Sequence, residues 1–380
     1  MRYPWGSKKR LWLLLLTLGV LGLAVCVPPS RVITTVRLLV LVRRVASGDI
    51  EKNPTVHEEK IVRLIGGFEQ EGIVYRPAGS SPASGVVLVP GISELGCNHP
   101  RLVALARALA GTGFLVLTPD IRMFREFRIY PPPLDEISFW LREARRVEGG
   151  QRLRRVGLAG ISFSGTLALI AAAQPQNRDQ AAYILGIGSF DDLVRCSSFW
   201  FDAGPVTVGP GYYPTRFYAK WIIMLAAVDL LPAERDRQFL ESVLRSLLLQ
   251  KDVPSPPVAV TDVGRRWHRL ALMREDQADP ELAHQIENHV VEILYPGVST
   301  SRPAAEIRCP VFLAHGAYDD LIPPEESRRL REKIVQARSY LLISPFLTHT
   351  HPWEKPLSWW KKTAAAFDLF VFFYHLTGAL

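Results

Sequence analysis

The chain has 380 residues, of which 48% are hydrophobic and 22% are charged. These values exclude a disordered protein and fit one large domain or two ordinary ones. The formal net charge of +8 is spread in short basic clusters, and the four cysteines are scattered without a C-x-x-C pair. We therefore expect no zinc site and no nucleic-acid partner. We attribute the excess of basic residues to contact with lipid headgroups or to solubility.

The N-terminus joins a basic segment to an apolar one. Met1–Arg10 carries four Lys or Arg residues, and Leu11–Val27 carries no charge. At a rise of about 1.5 Å per residue, the apolar run is just long enough to cross a membrane and is long for a signal peptide. We predict an uncleaved, single-pass signal anchor, with a cleaved signal peptide as the alternative. Four Lys or Arg residues also follow the run, so its orientation stays open.

A second apolar run, Arg31–Val45, carries four arginines and follows Pro28-Pro29. Such a segment is typical of a helix that lies at a membrane surface. The alternative is a connector helix that packs on the following domain.

From Glu58 the pattern changes to strands that alternate with helices. Lys60–Leu64 and Gly72–Arg76 predict an antiparallel pair. Gly85–Val89 is an uninterrupted apolar run, which predicts a strand that is buried on both faces, and Phe114–Thr118 predicts a second one. Further strands are predicted at Arg155–Ala159, Ala182–Ile187, Cys309–Gly316 and Ser339–Ile343. Helices are predicted at Leu102–Leu109, Leu134–Val147, Thr166–Ala173, Pro323–Val335 and Leu357–Leu376. This alternation predicts an α/β fold with a doubly wound, mostly parallel sheet, whose site lies beyond the carboxyl ends of the strands.

The alternation stops for more than a hundred residues after Asp191-Asp192. A loop-like aromatic stretch at Ser197–Pro214 is followed by predicted helices and by a linker. The helices are Arg216–Leu230, Arg235–Leu249 and Ala278–Ile293, and the linker is Pro254–Pro257. We interpret this block as a helical cap over the sheet. The chain then divides into a membrane segment and connector (1–48), a first core part (49–190), the cap (191–304) and a second core part (305–380).

The motif Gly160-Ile-Ser162-Phe-Ser164 stands between a strand and a helix rich in small residues. This layout is typical of a nucleophile elbow, where a serine occupies a strained turn with its hydroxyl exposed. Small residues two positions before and after the serine let the strand and helix approach. Here the second of these is Ser164, where glycine is commoner.

An acid and a base follow this serine in chain order, each after a later strand. Asp319 follows the next-to-last strand and His349 follows the last one. A serine needs a nearby base to become a nucleophile, and the imidazole needs a carboxylate partner. Asp320 is an alternative acid, and Asp191 and Asp192 are weaker ones. His351 is an alternative base.

With these motifs the chain resembles the α/β-hydrolase superfamily, from about Glu58 to Leu380 without the cap. The resemblance rests on the elbow, on Gly316-x-x-Asp319-x-x-Ile322-Pro323, and on His349-x-x-Pro352. It implies a catalytic triad of Ser162, Asp319 and His349 and no metal or organic cofactor. It also implies an oxyanion hole formed by the backbone N–H groups of Phe163 and Ile92. Gly91 allows the turn before Ile92, and Ser93 is a possible helper.

These observations together predict a membrane-anchored serine esterase that forms an acyl-enzyme. Aromatic residues in the cap favour a lipophilic or aromatic acyl group on a small-molecule or lipid-like ester. A peptidase or an acyltransferase with the same triad is an alternative, and so is a non-catalytic, hydrolase-like binding protein at the membrane. The sequence leaves the oligomeric state open, and also whether the catalytic domain is extracytoplasmic.

Overall fold

The computed structural model describes residues 28–47, 56–79, 82, 84–146, 153–201, 215–272, 279–347 and 358–379. The predicted anchor at Leu11–Val27 and both candidate base histidines, His349 and His351, lie outside these residues. Within the described residues, no helix is both long and apolar enough to span a bilayer.

Eight strands form one sheet in the order β1-β2-β4-β3-β5-β6-β7-β8. Pairing is antiparallel on both sides of β2 and parallel from β4 through β8. The strands are β1 (Val56–Ile65), β2 (Phe68–Pro77), β3 (Ser84–Val89), β4 (Leu115–Pro119), β5 (Arg155–Ile161), β6 (Ile184–Ile187), β7 (Val311–Gly316) and β8 (Ser339–Ser344). The α/β class and the mostly parallel sheet are thus confirmed.

Helices cover both faces of this sheet. The core helices are α1 (Pro29–Ser47), α2 (Pro100–Gly111), α3 (Arg122–Arg125), α4 (Leu134–Ala144), α5 (Phe163–Ala173), α12 (Pro324–Lys333) and α13 (Trp359–Ala379). Alternate residues of β3 belong to different hydrophobic clusters, since Val87 packs with α4 and α5 whereas Val86 packs with α1, α2 and α13. This alternation is what a strand buried on both faces requires.

Helix α1 packs onto the core instead of standing apart from it. The Arg31 guanidinium donates hydrogen bonds to the carbonyl of Tyr374 on α13 at 2.6 and 2.8 Å. Leu38 is fully buried, whereas Ile33, Val36 and Val40 are about half exposed on the outer face. The helix therefore has a packed face and an outer face on which exposed apolar residues stand beside exposed arginines.

The described residues between β6 and β7 form six helices, α6–α11, which we call the cap. They are α6 (Leu193–Phe201), α7 (Thr215–Ala226), α8 (Glu234–Leu248), α9 (Asp262–Leu272), α10 (Pro280–Val298) and α11 (Ser301–Glu306). The loop predicted from Ser197 is wrong in its first part, because α6 runs to Phe201. Leu193, Cys196 and Trp200 recur at helical spacing and are all buried. Helix α9 was not predicted from the sequence, because its exposed face is rich in arginine.

An ion-pair network joins the two ends of the cap to the core. The Asp191 carboxylate accepts hydrogen bonds from Arg195 at 2.7 Å, from Lys333 on α12 at 2.7 Å and from the Thr300 hydroxyl at 2.6 Å. Arg195 also pairs with the buried Glu326 at 2.8 Å. Burial opposes ionisation of Asp191, but these hydrogen bonds outweigh it and hold the pKa of the carboxyl below its usual range. Asp191 is therefore engaged in a structural network.

Three cysteines fall within the described residues, and all three are free thiols. Cys97 and Cys196 are buried, and Cys309 is partly buried. Burial raises the pKa of Cys97 to about 12, so this thiol is inert at neutral pH.

Candidate active site

Ser162 occupies a strained turn between β5 and α5. Its backbone angles are φ 61° and ψ −127°, a conformation that costs a residue other than glycine on the order of 1–3 kcal/mol. The Ser162 N–H donates a hydrogen bond of 2.6 Å to the carbonyl of Ile187, at the end of β6. The neighbouring strand thus holds the turn in place, as expected of a nucleophile elbow.

Two glycines let β5 and α5 approach each other at this turn. A Cβ on Gly160 would lie 2.3 Å from the carbonyl oxygen of Ser164, and one on Gly165 would lie 2.3 Å from the Ser189 hydroxyl. Both distances are far below van der Waals contact, so the turn requires glycine at these positions.

Ser164, the departure from the commoner glycine, adds hydrogen bonds to the elbow. Its buried hydroxyl accepts from the Ile161 N–H at 3.0 Å and lies 2.8 Å from the Ile161 carbonyl. The same hydroxyl lies 3.2 Å from the carbonyl of Val89, the last residue of β3. Ser164 therefore ties the elbow to the strand that precedes residues 90–98, which we call the β3 loop.

The Ser162 side chain stays available for chemistry. Although Ser162 holds the N-cap position of α5, its hydroxyl makes no capping hydrogen bond, unlike most serines at such positions. The residue is half-buried and lines a cavity. Phe163 begins α5, so its N–H is among those that have no acceptor within the helix.

The β3 loop lies across the cavity wall next to the elbow. Ile92 lines the cavity, and its carbonyl accepts a hydrogen bond of 2.8 Å from the hydroxyl of Tyr218 on α7. Gly91 does not adopt positive φ, and a Cβ there would meet only the Ile161 carbonyl, at 3.8 Å. The interpretation that Gly91 allows the turn is therefore wrong, because neither a positive φ nor a close approach requires glycine at this position.

Asp319 lies in the loop after β7 (residues 317–323, the β7 loop). Its side chain is buried, and Oδ1 accepts hydrogen bonds from the N–H groups of Leu321 and Ile322, both at 2.9 Å. Asp320, the alternative acid, is exposed to solvent. The buried, hydrogen-bonded carboxylate is the one suited to orient a base.

Sequence reasoning missed a second buried group beside this carboxylate. His315 Nε2 lies 3.3 Å from Asp319 Oδ2 and 2.9 Å from the carbonyl of Ile322, while Nδ1 lies 2.6 Å from the Ser327 hydroxyl. A carbonyl only accepts, so Nε2 carries a proton and donates. Its position four residues before Asp319, at the end of an apolar strand, was the signal available in the sequence.

The cap also contacts the β7 loop. The indole N–H of Trp200, on α6, donates a hydrogen bond of 2.6 Å to the carbonyl of Leu321. Two side chains of the cap, Tyr218 and Trp200, therefore donate hydrogen bonds to backbone carbonyls of the β3 loop and of the β7 loop, respectively.

The cavity at Ser162 has a volume of about 1050 Å³, at the upper end of the range for small-molecule sites. The core contributes Ser162, Phe163 and Ile92, and the cap contributes the side chains of Trp200, Tyr218, Trp221, Ile222 and Leu248. Most of the lining is apolar, and the charged exceptions are Glu94, Arg101, Lys251 and Asp252. Among the described residues, no group of three or more His, Cys, Asp or Glu side chains is arranged to hold a metal ion.

No family model and no curated protein matches the sequence. Similar solved structures include 2,6-dihydroxy-pseudo-oxynicotine hydrolase, with 14% identity, a TM-score of 0.48 and coverage of 85% of this chain and 68% of that one. Acylaminoacyl peptidase from Pyrococcus horikoshii has 14% identity, a TM-score of 0.45 and coverage of 79% and 38%. Brefeldin A esterase, a bacterial homologue of human hormone sensitive lipase, has 14% identity, a TM-score of 0.45 and coverage of 92% and 90%. The chain thus spans less than half the length of the peptidase.

The fold assignment rests on the molecule's own topology. The strand order, the antiparallel second strand and the strained serine after β5 give the chain the α/β-hydrolase fold. The predicted resemblance to the α/β-hydrolases is therefore confirmed at the level of the fold.

Proposed function

We propose that the protein is a serine hydrolase that cleaves carboxylic esters with a lipophilic acyl group. The observation that carries the proposal is the geometry of Ser162, which holds a strained backbone conformation and lines a large cavity with its hydroxyl unused for capping. Strain of this kind persists only where the surroundings enforce it, and it clusters at functional sites. A serine with only a structural role needs none of these features.

In the proposed mechanism, the Ser162 hydroxyl attacks the acyl carbonyl while a histidine removes its proton. The alcohol then leaves with that proton, and water releases the acyl group from Ser162 by the reverse sequence. The oxyanion of each tetrahedral intermediate accepts hydrogen bonds from the N–H groups of Phe163 and Ile92. The position of Phe163 at the N-terminus of α5 supports this role.

Asp319 is the acid in this proposal, and His349 is the base. The burial of Asp319 and the exposure of Asp320 support the first assignment. The second rests on the sequence, where His349 lies closer than His351 to the end of β8 at Ser344. Because β5, β6, β7 and β8 are parallel neighbours, the loops that follow them meet at one edge of the sheet. Ester hydrolysis by His349→Ala and His351→Ala decides between the histidines.

The lining of the cavity supports a lipophilic substrate. Phe163, Trp200, Trp221 and Ile222 line the same cavity as Ser162, and moving a hydrocarbon chain from water to such a surface is favourable. Peptide hydrolysis and acyl transfer use the same acyl-enzyme, and parallel assays with peptides and with acceptor alcohols distinguish them.

A fluorophosphonate probe tests the proposal most directly, because it phosphonylates an activated serine with loss of fluoride. We expect the wild-type protein to be labelled and Ser162→Ala to be unlabelled at the same thermal unfolding midpoint. Ser242→Ala, which changes an exposed serine on α8, is the matched control and should be labelled like wild type. Equal labelling of Ser162→Ala, or no labelling of folded wild type, would refute the proposal.

The membrane anchor is a separate part of the proposal. It rests on the uncharged run Leu11–Val27, and α1 begins only two residues later, at Pro29. The exposed Ile33, Val36 and Val40 on α1 suit a helix close to a bilayer surface. Because α1 packs on the core, a chain that begins at Pro28 removes the anchor without disturbing the fold.

Carbonate extraction tests the anchor. We expect the full chain to remain in the membrane pellet and the chain that begins at Pro28 to be released. Release of the full chain would show that residues 11–27 do not span the bilayer.

A further inference from the structure

One hydrogen bond links the cap to the loop that follows β3. The Tyr218 hydroxyl on α7 donates to the carbonyl of Ile92 at 2.8 Å, and the two residues are 126 positions apart in the sequence. Both residues line the cavity at Ser162. The bond therefore lies at the reacting edge of the sheet.

This bond restricts the orientation of a peptide plane beside the nucleophile. The Ile92 carbonyl belongs to the planar peptide between Ile92 and Ser93. While Tyr218 holds this oxygen, the peptide cannot rotate to point it toward Ser162. A carbonyl oxygen pointing there would repel the oxyanion. The N–H of Ile92 belongs to the preceding peptide, between Gly91 and Ile92, and the two peptides share the Cα of Ile92, so holding one restricts the other.

Tyr218 is itself held firmly. Its ring packs edge-on against Phe127, with centroids 6.3 Å apart and an interplanar angle of 77°. Burial, and to a smaller extent the charge of Glu94, raises the pKa of the phenol. The Tyr218 hydroxyl therefore remains protonated, and continues to donate its hydrogen bond, throughout the neutral pH range.

The core holds the same loop at a different point. Arg125 donates from Nε to the carbonyl of Glu94 at 3.4 Å and pairs through Nη1 with Asp120 at 2.8 Å. This support acts two residues beyond Ile92 and through a longer hydrogen bond. The shorter bond at Ile92 itself comes from the cap.

We propose that Tyr218 is a positioning residue that sets the oxyanion hole from the cap side. The inference rests on the proposed serine hydrolase function and adds to it that the cap is part of the catalytic apparatus. Tyr218 acts on the Ile92–Ser93 peptide, which adjoins the peptide that carries the Ile92 N–H, and it takes no part in bond making. Loss of its hydroxyl loosens one oxyanion donor without removing it.

The test compares two tyrosine-to-phenylalanine variants in the full chain. Tyr218→Phe removes the hydroxyl and keeps the ring against Phe127. Tyr183→Phe is the matched control, because the Tyr183 hydroxyl is also buried and donates to a backbone carbonyl, that of Gly85, at 3.1 Å. Gly85 lies near the start of β3, at the end of the strand away from Ser162.

With a p-nitrophenyl ester, we expect Tyr218→Phe to lower kcat about tenfold and to leave KM within twofold of wild type. The loss stays below the roughly 10²–10³ that complete removal of an oxyanion donor costs. The rate of fluorophosphonate labelling should fall in parallel. Tyr183→Phe should keep the wild-type kcat and labelling rate.

Three results would overturn the inference. Equal kcat in both variants, with wild type labelled at Ser162, would remove the role of Tyr218 and leave the proposed function intact. A rise in KM at constant kcat would show that Tyr218 contacts the substrate instead of positioning the loop. Absence of labelling in wild type would refute the proposed function, and the inference with it. Thermal unfolding midpoints of both variants verify that any loss of kcat is not a loss of fold.

Discussion

On the core side, the cavity is lined by Ser162, by residues of the β3 loop and by apolar side chains such as Phe163 and Phe190. On the cap side, the lining consists mainly of aromatic and aliphatic side chains on helices. The core wall depends on close approaches that only small residues permit, as at Gly160 and Gly165. The cap wall depends on the size of its side chains. We infer that the core sets the chemistry and that the cap sets which acyl groups fit.

The core wall and the cap wall of the cavity also depend on each other. Tyr218 and Trp200 reach from the cap to carbonyls of Ile92 and Leu321, which follow β3 and β7. The cap therefore supplies apolar surface and also supports the two loops on which the proposed chemistry depends.

The largest expected effect on the core side is the loss of the Asp319 charge. Asp319→Asn keeps an oxygen that can accept from Leu321 and Ile322, but it no longer stabilises a charged imidazole. We expect ester turnover to fall by about 10⁴, as for removal of the acid in other serine triads. Asp320→Asn, at the exposed neighbour, should stay within about tenfold. Steady-state kinetics on one ester measure the turnover of both variants. A larger loss in Asp320→Asn than in Asp319→Asn would assign the role of the acid to Asp320.

A smaller but still large effect is expected at Gly160. In Gly160→Ala the new Cβ meets the carbonyl of Ser164, so backbone atoms must shift at the elbow. We expect turnover to fall by at least about a hundredfold and the free energy of unfolding to fall by about 1–3 kcal/mol. Gly91→Ala makes the same change where there is room for a Cβ, and its turnover should fall by less than about tenfold. Similar turnover in the two variants would contradict the tight approach at Gly160.

The smallest expected effect lies on the cap side. Ile222→Ala removes apolar surface from the cavity wall, so it should lower kcat/KM for a long-chain ester about tenfold and leave an acetyl ester within about twofold. Leu244→Ala removes similar volume from a buried cap residue that is not part of the cavity wall. Its chain-length profile should match wild type. A uniform loss across the ester series in Ile222→Ala would show that this wall does not select the acyl group.

The sheet was predictable because its strands are marked by local apolar runs. The run predicted at Gly85–Val89 corresponds to β3 at Ser84–Val89, since a strand buried on both faces has no polar positions to obscure it. The elbow was predictable for a related reason, because close approach of strand and helix requires small residues at fixed spacing.

The supporting contacts were not predictable from local pattern. The bond between Tyr218 and Ile92 depends on how a helix of the cap docks on the core, and neither residue carries a local sign of it. His315 looked like one more residue of an apolar strand, although it lies beside Asp319 in the folded chain. The part of α6 from Ser197 onward was taken for a loop because serine and aromatic residues masked its period.

The ion-pair network at Asp191 has a consequence for how the cap could change. The Thr300 hydroxyl, which donates to the Asp191 carboxylate, also lies 2.8 Å from the carbonyl of Asp191, although the two residues are 109 positions apart. The segment between Asp191 and Thr300, which holds α6–α10, therefore leaves and re-enters the core at nearly the same point. A segment inserted in this way can be lengthened, shortened or exchanged for another at little cost to the remaining sheet, because the gap to be closed is already short. Such an exchange would alter the substrate pocket in one step, and through Tyr218 it would also alter the loop beside the nucleophile.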